Sequence, residues 1–128
     1  LILYFYHMTL GFPKSENLKS RTTIKQLFNQ GKSYNCFPVK LIYIPQSNLT
    51  ITQAAFAVPK RNFKLAVSRN RIKRQMREAY RLHKQLLIAN NNPNFALLFL
   101  YLGKDKPTYE KLEKAFKVLL KKLEDEKN

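Results

Sequence analysis

The stretch VSRNRIKRQMREAYR, residues 67–81, carries six arginine or lysine side chains and a single acid, Glu78. Its apolar residues still recur at helical spacing, with Ile72, Met76 and Ala79 three or four positions apart. At about 100° per residue, Arg69, Asn70, Lys73, Arg74, Arg77, Arg81 and Lys84 share an arc of roughly 140°. Ile72, Met76, Ala79, Leu82, His83 and Leu86 share the opposite side, and Arg71 and Glu78 lie between. The spacing predicts a helix with one face packed on a sheet and one face presenting cations to solvent.

Outward from this helix the elements follow in turn. The helix begins between residues 64 and 68 and runs to about Asn90, where NNP (91–93) stops it. Upstream, KRNFK (60–64) is a basic connection and TITQAAFAV (50–58) reads as a strand ended by Pro59. FPVKLIYI (37–44), rich in β-branched and aromatic residues, reads as another strand. PQSNL (45–49) between them has turn chemistry, so the two strands are expected to form a hairpin. A short strand near residues 32–35 is a further expectation. Residues 20–30 read as a helix with Ile24, Leu27 and Phe28 on one face and Gly31 as its stop at C′.

Downstream, NFALLFLYL (94–102) is apolar on both parities and reads as a central buried strand. Residues 103–107 form a turn, and Thr108 caps a last helix with an apolar stripe of Leu112, Phe116, Leu119, Leu120 and Leu123. The fold class is α+β, an α/β sandwich. AAFAV, the long helix and ALLFLYL would form a βαβ crossover. Residues 1–7, LILYFYH, lack a basic region and a small-residue cleavage site. They read as an upstream extension or tail, with a single domain over 8–128.

The whole chain has 24 basic and 8 acidic residues, a formal net charge of +16. Such an excess repels itself and calls for a polyanionic partner. The acids cluster late, whereas ten basic residues lie between Val58 and Lys84 against Glu78 alone. Arginine dominates the helix face, and its planar fork suits phosphate. A membrane-surface helix would expose large aromatics opposite the charge, but that side is committed to the core. No apolar run reaches the ~20 residues of a membrane span. One cysteine, Cys36, forms no internal disulfide and fits a reducing compartment.

A protein nuclease needs a metal cluster or an acid–base pair. The sequence offers neither: His83 falls on the apolar helix face, and the late carboxylates sit in a lysine-rich helix. With three glycines there is no phosphate-cradling loop. Cys36 reads as a buried apolar thiol.

SRNRIKRQMREAYR, together with FPKSENLKSRTTIKQLFNQGKS upstream, VKLIY, and FAVPKR just before the helix, resembles the RNR-motif family of bacterial ribonuclease P protein components. The likeness covers about residues 12–120. It implies a two-layer α/β sandwich of order αβββαβα, similar to ribosomal protein S5 domain 2, with a left-handed βαβ crossover against the usual rule. It further implies a cytoplasmic subunit of the endoribonuclease that removes the 5′ leader of precursor tRNA, with catalysis and magnesium belonging to the RNA subunit. The protein itself would have no catalytic residue, metal or cofactor of its own. Its partners would be ribonuclease P RNA and precursor tRNA, with no membrane and no obligate protein partner.

By motif position, Lys60, Arg61, Arg69, Asn70, Arg71, Lys73, Arg74, Arg77 and Arg81 would contact the catalytic RNA. Ile24, Phe28 and Tyr43 would line the leader-binding cleft. Ile24 stands where relatives often carry an aromatic, and FKL (63–65) replaces a frequent Gly-Asn. The alternative is a general RNA-binding protein, such as a ribosomal protein or RNA chaperone, with no role in tRNA cleavage.

Overall fold

A computed structural model of the chain describes residues 16–45, 52–84 and 94–127. Their order is α1 (Arg21–Gln30), β1 (Lys32–Cys36), β2 (Val39–Pro45), β3 (Gln53–Ala57), α2 (Ala66–His83), β4 (Phe95–Tyr101) and α3 (Tyr109–Lys127). The expected αβββαβα order is present. Residues 1–7 and the expected end of the long helix at NNP lie outside the described residues.

The four strands form one sheet in the order β1-β2-β4-β3. The hairpin joins β1 to β2, with Cys36 opposite Val39 and Lys32 opposite Tyr43. The expected hairpin between β2 and β3 does not form, because β4 lies between them, antiparallel to β2 and parallel to β3. The physical reason is burial. Every residue of β4 except Leu100 is buried, and a strand apolar on both faces belongs at the centre of a sheet. The β3–α2–β4 unit is thus the expected parallel crossover.

Strand alternation sends side chains to two cores. Val39, Leu41, Tyr43, Ala54, Phe95, Leu97 and Phe99 meet Ile72, Met76, Ala79 and Tyr80 of α2 and the whole predicted stripe of α3. Aromatic contacts concentrate there: the Phe99 ring stacks on Phe116 at 4.6 Å and on Phe56 at 5.5 Å. On the other face, Ile42, Ala96 and Leu98 meet Leu27 of α1 and Leu18. Beyond the sheet and its α2–α3 layer, α1 therefore covers part of the second face.

Local chemistry fixes the ends. The Ser20 hydroxyl accepts from the Thr23 N–H at 3.3 Å, capping α1. Gly31 ends that helix in extended rather than left-handed backbone, at φ −69°. Its need for glycine is steric: a Cβ would lie 2.4 Å from the Leu27 carbonyl oxygen and 2.6 Å from Ile42 Cγ2. Thr108 caps α3 as expected, its hydroxyl accepting from the Lys111 N–H at 3.4 Å. Before α1, the Leu18 N–H donates to the Ala54 carbonyl at 2.9 Å and so occupies part of the β3 edge.

Candidate nucleic-acid interface

The basic helix is held by its apolar stripe. Ile72, Met76, Ala79 and Tyr80 are buried, so the opposite side must face outward. Asn70, Arg71, Arg74 and Arg77 are exposed there, as are Lys60 and Arg61 in the turn before it. Asn70, Arg74, Arg77 and Arg81 follow one another at i, i+4, i+7 and i+11, which makes a single ridge. The first turn of α2 holds no acid, so nothing there offsets the positive end of the helix dipole.

Three cations have structural work as well. Half-buried Arg69 donates through Nη1 to the carbonyls of Phe63 and Lys64, at 2.8 and 2.9 Å. It thereby ties the 60–64 turn to a helix whose N-cap, Leu65, offers no side-chain cap. The Arg77 guanidinium lies 5.8 Å from the Phe56 ring centre, which orients it along the ridge. Arg81 pairs with Glu78, its Nε donating to Oε2 at 3.1 Å, and this hydrogen bond holds the Glu78 carboxyl below its ordinary range. Lys73 is half-buried beside the ridge.

Lys84 departs from the helical-wheel reading. It is buried, and its Nζ donates to Glu16 Oε2 at 2.6 Å. A wheel sees only neighbours on the same helix, and Glu16 lies 68 positions away. His83 is half-buried and sits 3.6 Å from the Glu113 carboxylate on α3. Cys36 is half-buried rather than fully enclosed.

The other face of the sheet supplies a cleft. Across it, strand register lines up two rows: Ser33, Ile42, Leu98 and Ala55, then Asn35, Lys40, Leu100 and Ala57. Ile42 and Leu98 of the first row are buried in the core that α1 covers. Every member of the second row retains exposure. Ile24 is half-buried against this core and Phe28 projects beside it, 60% exposed. Ile24 and Phe28 therefore border the cleft together.

Tyr43 does not join them. It faces the α2–α3 core at 2% exposure, stacked on Tyr34 at 5.3 Å and edge-on to Phe95 at 5.8 Å. One residue along a strand reverses the face, so Ile42 and Ile44 are the β2 apolar residues on the cleft side. Lys40 carried the missed signal, since it is the one charged residue of FPVKLIYI and shares parity with Ile42 and Ile44. The open row ends on Ala57, from which the chain leads through Val58 and Pro59 to exposed Lys60 and Arg61 and on to the basic helix.

Among the described residues no three His, Cys, Asp or Glu side chains are placed to hold a metal ion, and no helix is long and apolar enough to cross a membrane.

Known proteins resemble this chain in sequence and in fold. The profile of the Ribonuclease P family matches residues 12–124. The ribonuclease P protein component of Porphyromonas gingivalis is 34% identical over 112 residues, covering 84% of this chain and 82% of that protein. The component from Chlorobium phaeobacteroides is 37% identical over 122 residues, covering 84% of each. In three dimensions the chain resembles the RNase P protein of Staphylococcus aureus, with a TM-score of 0.71 at 18% identity over 86% of this chain and 96% of that one. The RNase P protein of Thermotoga maritima gives a TM-score of 0.69 at 20% identity, over 84% and 96%. These two share the fold, while the family profile and the closer sequence relatives fix the lineage: the chain belongs to the bacterial ribonuclease P protein component family.

Proposed function

We propose that this chain is the protein subunit of a cytoplasmic bacterial ribonuclease P. It binds the catalytic RNA through the α2 ridge and the 60–64 turn, and holds the 5′ leader of precursor tRNA in the cleft beside α1. The carrying observation is the acid-poor ridge of Asn70, Arg74 and Arg77, backed by a packed core and preceded along the chain by exposed Lys60 and Arg61.

The protein's role is positional and electrostatic. Two polyanions, catalytic RNA and substrate, repel where they meet. Guanidinium and ammonium groups at that junction neutralise phosphates and release condensed counterions. Less magnesium is then needed for assembly, while the ions that do the chemistry stay with the RNA. In the cleft, Phe28 offers a π face to an unpaired leader base, worth ~1–3 kcal/mol. Ile24 offers only apolar contact, and Lys40 stands in the open row to meet a phosphate. No active-site residue is assigned to the protein.

The test is the affinity of ribonuclease P RNA for precursor tRNA and for mature tRNA, each with and without this protein. A protein-dependent preference for the leader-bearing substrate, reduced by Phe28→Ala, is expected. Equal gains for both tRNAs would instead favour a general RNA-binding protein.

A further inference from the structure

At the end of the sheet where β4 finishes, a cavity of about 590 Å³ opens between the β1–β2 turn, the segment after β4 and the first turns of α3. Phe37, Pro38, Tyr101 and Val118 supply apolar walls, while Lys104, Lys106, Lys111 and Lys114 stand around it. Phe37 is 78% exposed. All four lysines are exposed, and none joins an ion pair among the described residues. Asp105 is the one carboxylate in the lining.

The walls are pre-shaped. The Leu102 N–H donates to the Pro38 carbonyl at 2.7 Å, which joins the end of β4 to the turn. The Tyr101 hydroxyl donates to the Asp105 carbonyl at 2.5 Å, holding the lysine-bearing segment over its ring. Gly103 permits that approach, since a Cβ there would lie 2.4 Å from the Tyr101 hydroxyl. On its other side the Tyr101 ring packs on Phe63, at 5.9 Å between centres. Phe63 belongs to the turn that carries exposed Lys60, Arg61 and Lys64. The cavity thus adjoins the start of the basic ridge but lies outside both the ridge and the cleft.

A cavity of this size falls within the range of about 300–1,000 Å³ that encloses small ligands. An apolar floor alone would suit many partners, but four unpaired ammonium groups against one carboxylate select an anion. An exposed aromatic face among spaced cations is the recognition chemistry of single-stranded nucleic acid. We propose that this cavity takes an unpaired nucleotide of RNA, its base stacked on Phe37 and its flanking phosphates on Lys104, Lys106, Lys111 and Lys114. The proposal extends the RNA-binding reading above to another site, and its test is separable from that reading.

Cys36 lines the cavity and is the chain's one cysteine, so it reports occupancy. The experiment follows Cys36 alkylation by iodoacetamide in the full chain, with and without saturating short oligoadenylate. Each variant is compared with its own RNA-free rate. Oligoadenylate should slow alkylation at least fivefold, whereas inorganic polyphosphate and oligoglutamate at equal charge should not. Phe37→Ala and Phe37→Leu should both weaken oligoadenylate binding by roughly 5- to 100-fold, the loss of one stacked base. Lys104→Glu with Lys106→Glu should raise the concentration needed for protection.

Protection should persist in Arg74→Ala/Arg77→Ala, which alters only the ridge. Unchanged alkylation with oligoadenylate would overturn the proposal and leave the subunit reading intact. Equal protection by polyphosphate would reduce the site to plain charge attraction, and equal protection by oligoglutamate would make it an acidic-peptide site. Protection in a protein that gives RNA no help in tRNA cleavage would remove the subunit reading and keep this one.

Discussion

Removing Arg74 and Arg77 together should change how RNA affinity responds to salt, not merely how strong it is. Both side chains are exposed on the ridge and contribute little to the fold. Exposed substitutions of this kind stay within about ±0.5 kcal/mol. The loss of Arg77 over the Phe56 ring adds about 0.5–1 kcal/mol. If each guanidinium neutralises one phosphate, log affinity loses about 0.7–0.9 of slope against log salt per residue, or about 1.4–1.8 for the pair. A fourfold rise in salt then closes the gap between parent and double variant by roughly tenfold. Binding of ribonuclease P RNA at a series of potassium chloride concentrations measures this directly. A variant that binds more weakly but with the parent slope would rule out phosphate neutralisation by these arginines, because they would then act without releasing counterions.

Phe99 is fully buried and stacks on Phe56 and Phe116, so Phe99→Ala should cost about 3–5 kcal/mol in urea unfolding. The Glu16–Lys84 pair predicts an asymmetry: Glu16→Ala takes the paired carboxylate from a buried cation and should cost about 3 kcal/mol, whereas Lys84→Met removes the charge as well and should cost much less. Equal losses would show that the pair acts through packing alone. Burial first, and the Glu16 carboxylate second, push the Tyr80 hydroxyl above its ordinary range. The folded state therefore holds that proton more tightly than the unfolded chain, so stability is full below the ordinary tyrosine pKa of about 10 and falls as pH rises beyond it. Denaturant unfolding between neutral and alkaline pH should show this fall, and Tyr80→Phe should flatten it; an identical fall in the variant would remove Tyr80 as a cause.

Much of the fold is legible because burial writes itself into periodicity. NFALLFLYL is apolar on both parities, and β4 is an inner strand of the sheet. The 3.6-residue stripes of α2 and α3 name the side chains that meet in the core: Ile72, Met76, Phe116 and Leu119 are all buried. The pairing of β2 was not legible from neighbouring sequence. The turn residues at 45–49 favour a hairpin, but β4, arriving from far along the chain, takes the place beside β2 because it can be buried on both faces.

The site is legible to a similar depth. The cationic ridge shows in the sequence because charge alternates with core at helical spacing. The second duty of Arg69 does not show, since it depends on two backbone carbonyls of a turn. The loss of Lys84 to the interior depends on a carboxylate from the other end of the chain. Tyr43 illustrates the strictest limit. In a strand apolar on both parities only Lys40 marks the open side, and Tyr43, three positions on and of the opposite parity, belongs to the opposite core.

The most direct test of the subunit role is precursor-tRNA cleavage at low magnesium, with a bacterial ribonuclease P RNA alone, this protein alone, and both together. Efficient leader removal is expected only with both, and Arg74→Ala/Arg77→Ala should lose that stimulation and regain part of it at lowered salt. No stimulation by the folded protein with a matched RNA would contradict that role, and so would cleavage by protein rigorously freed of RNA.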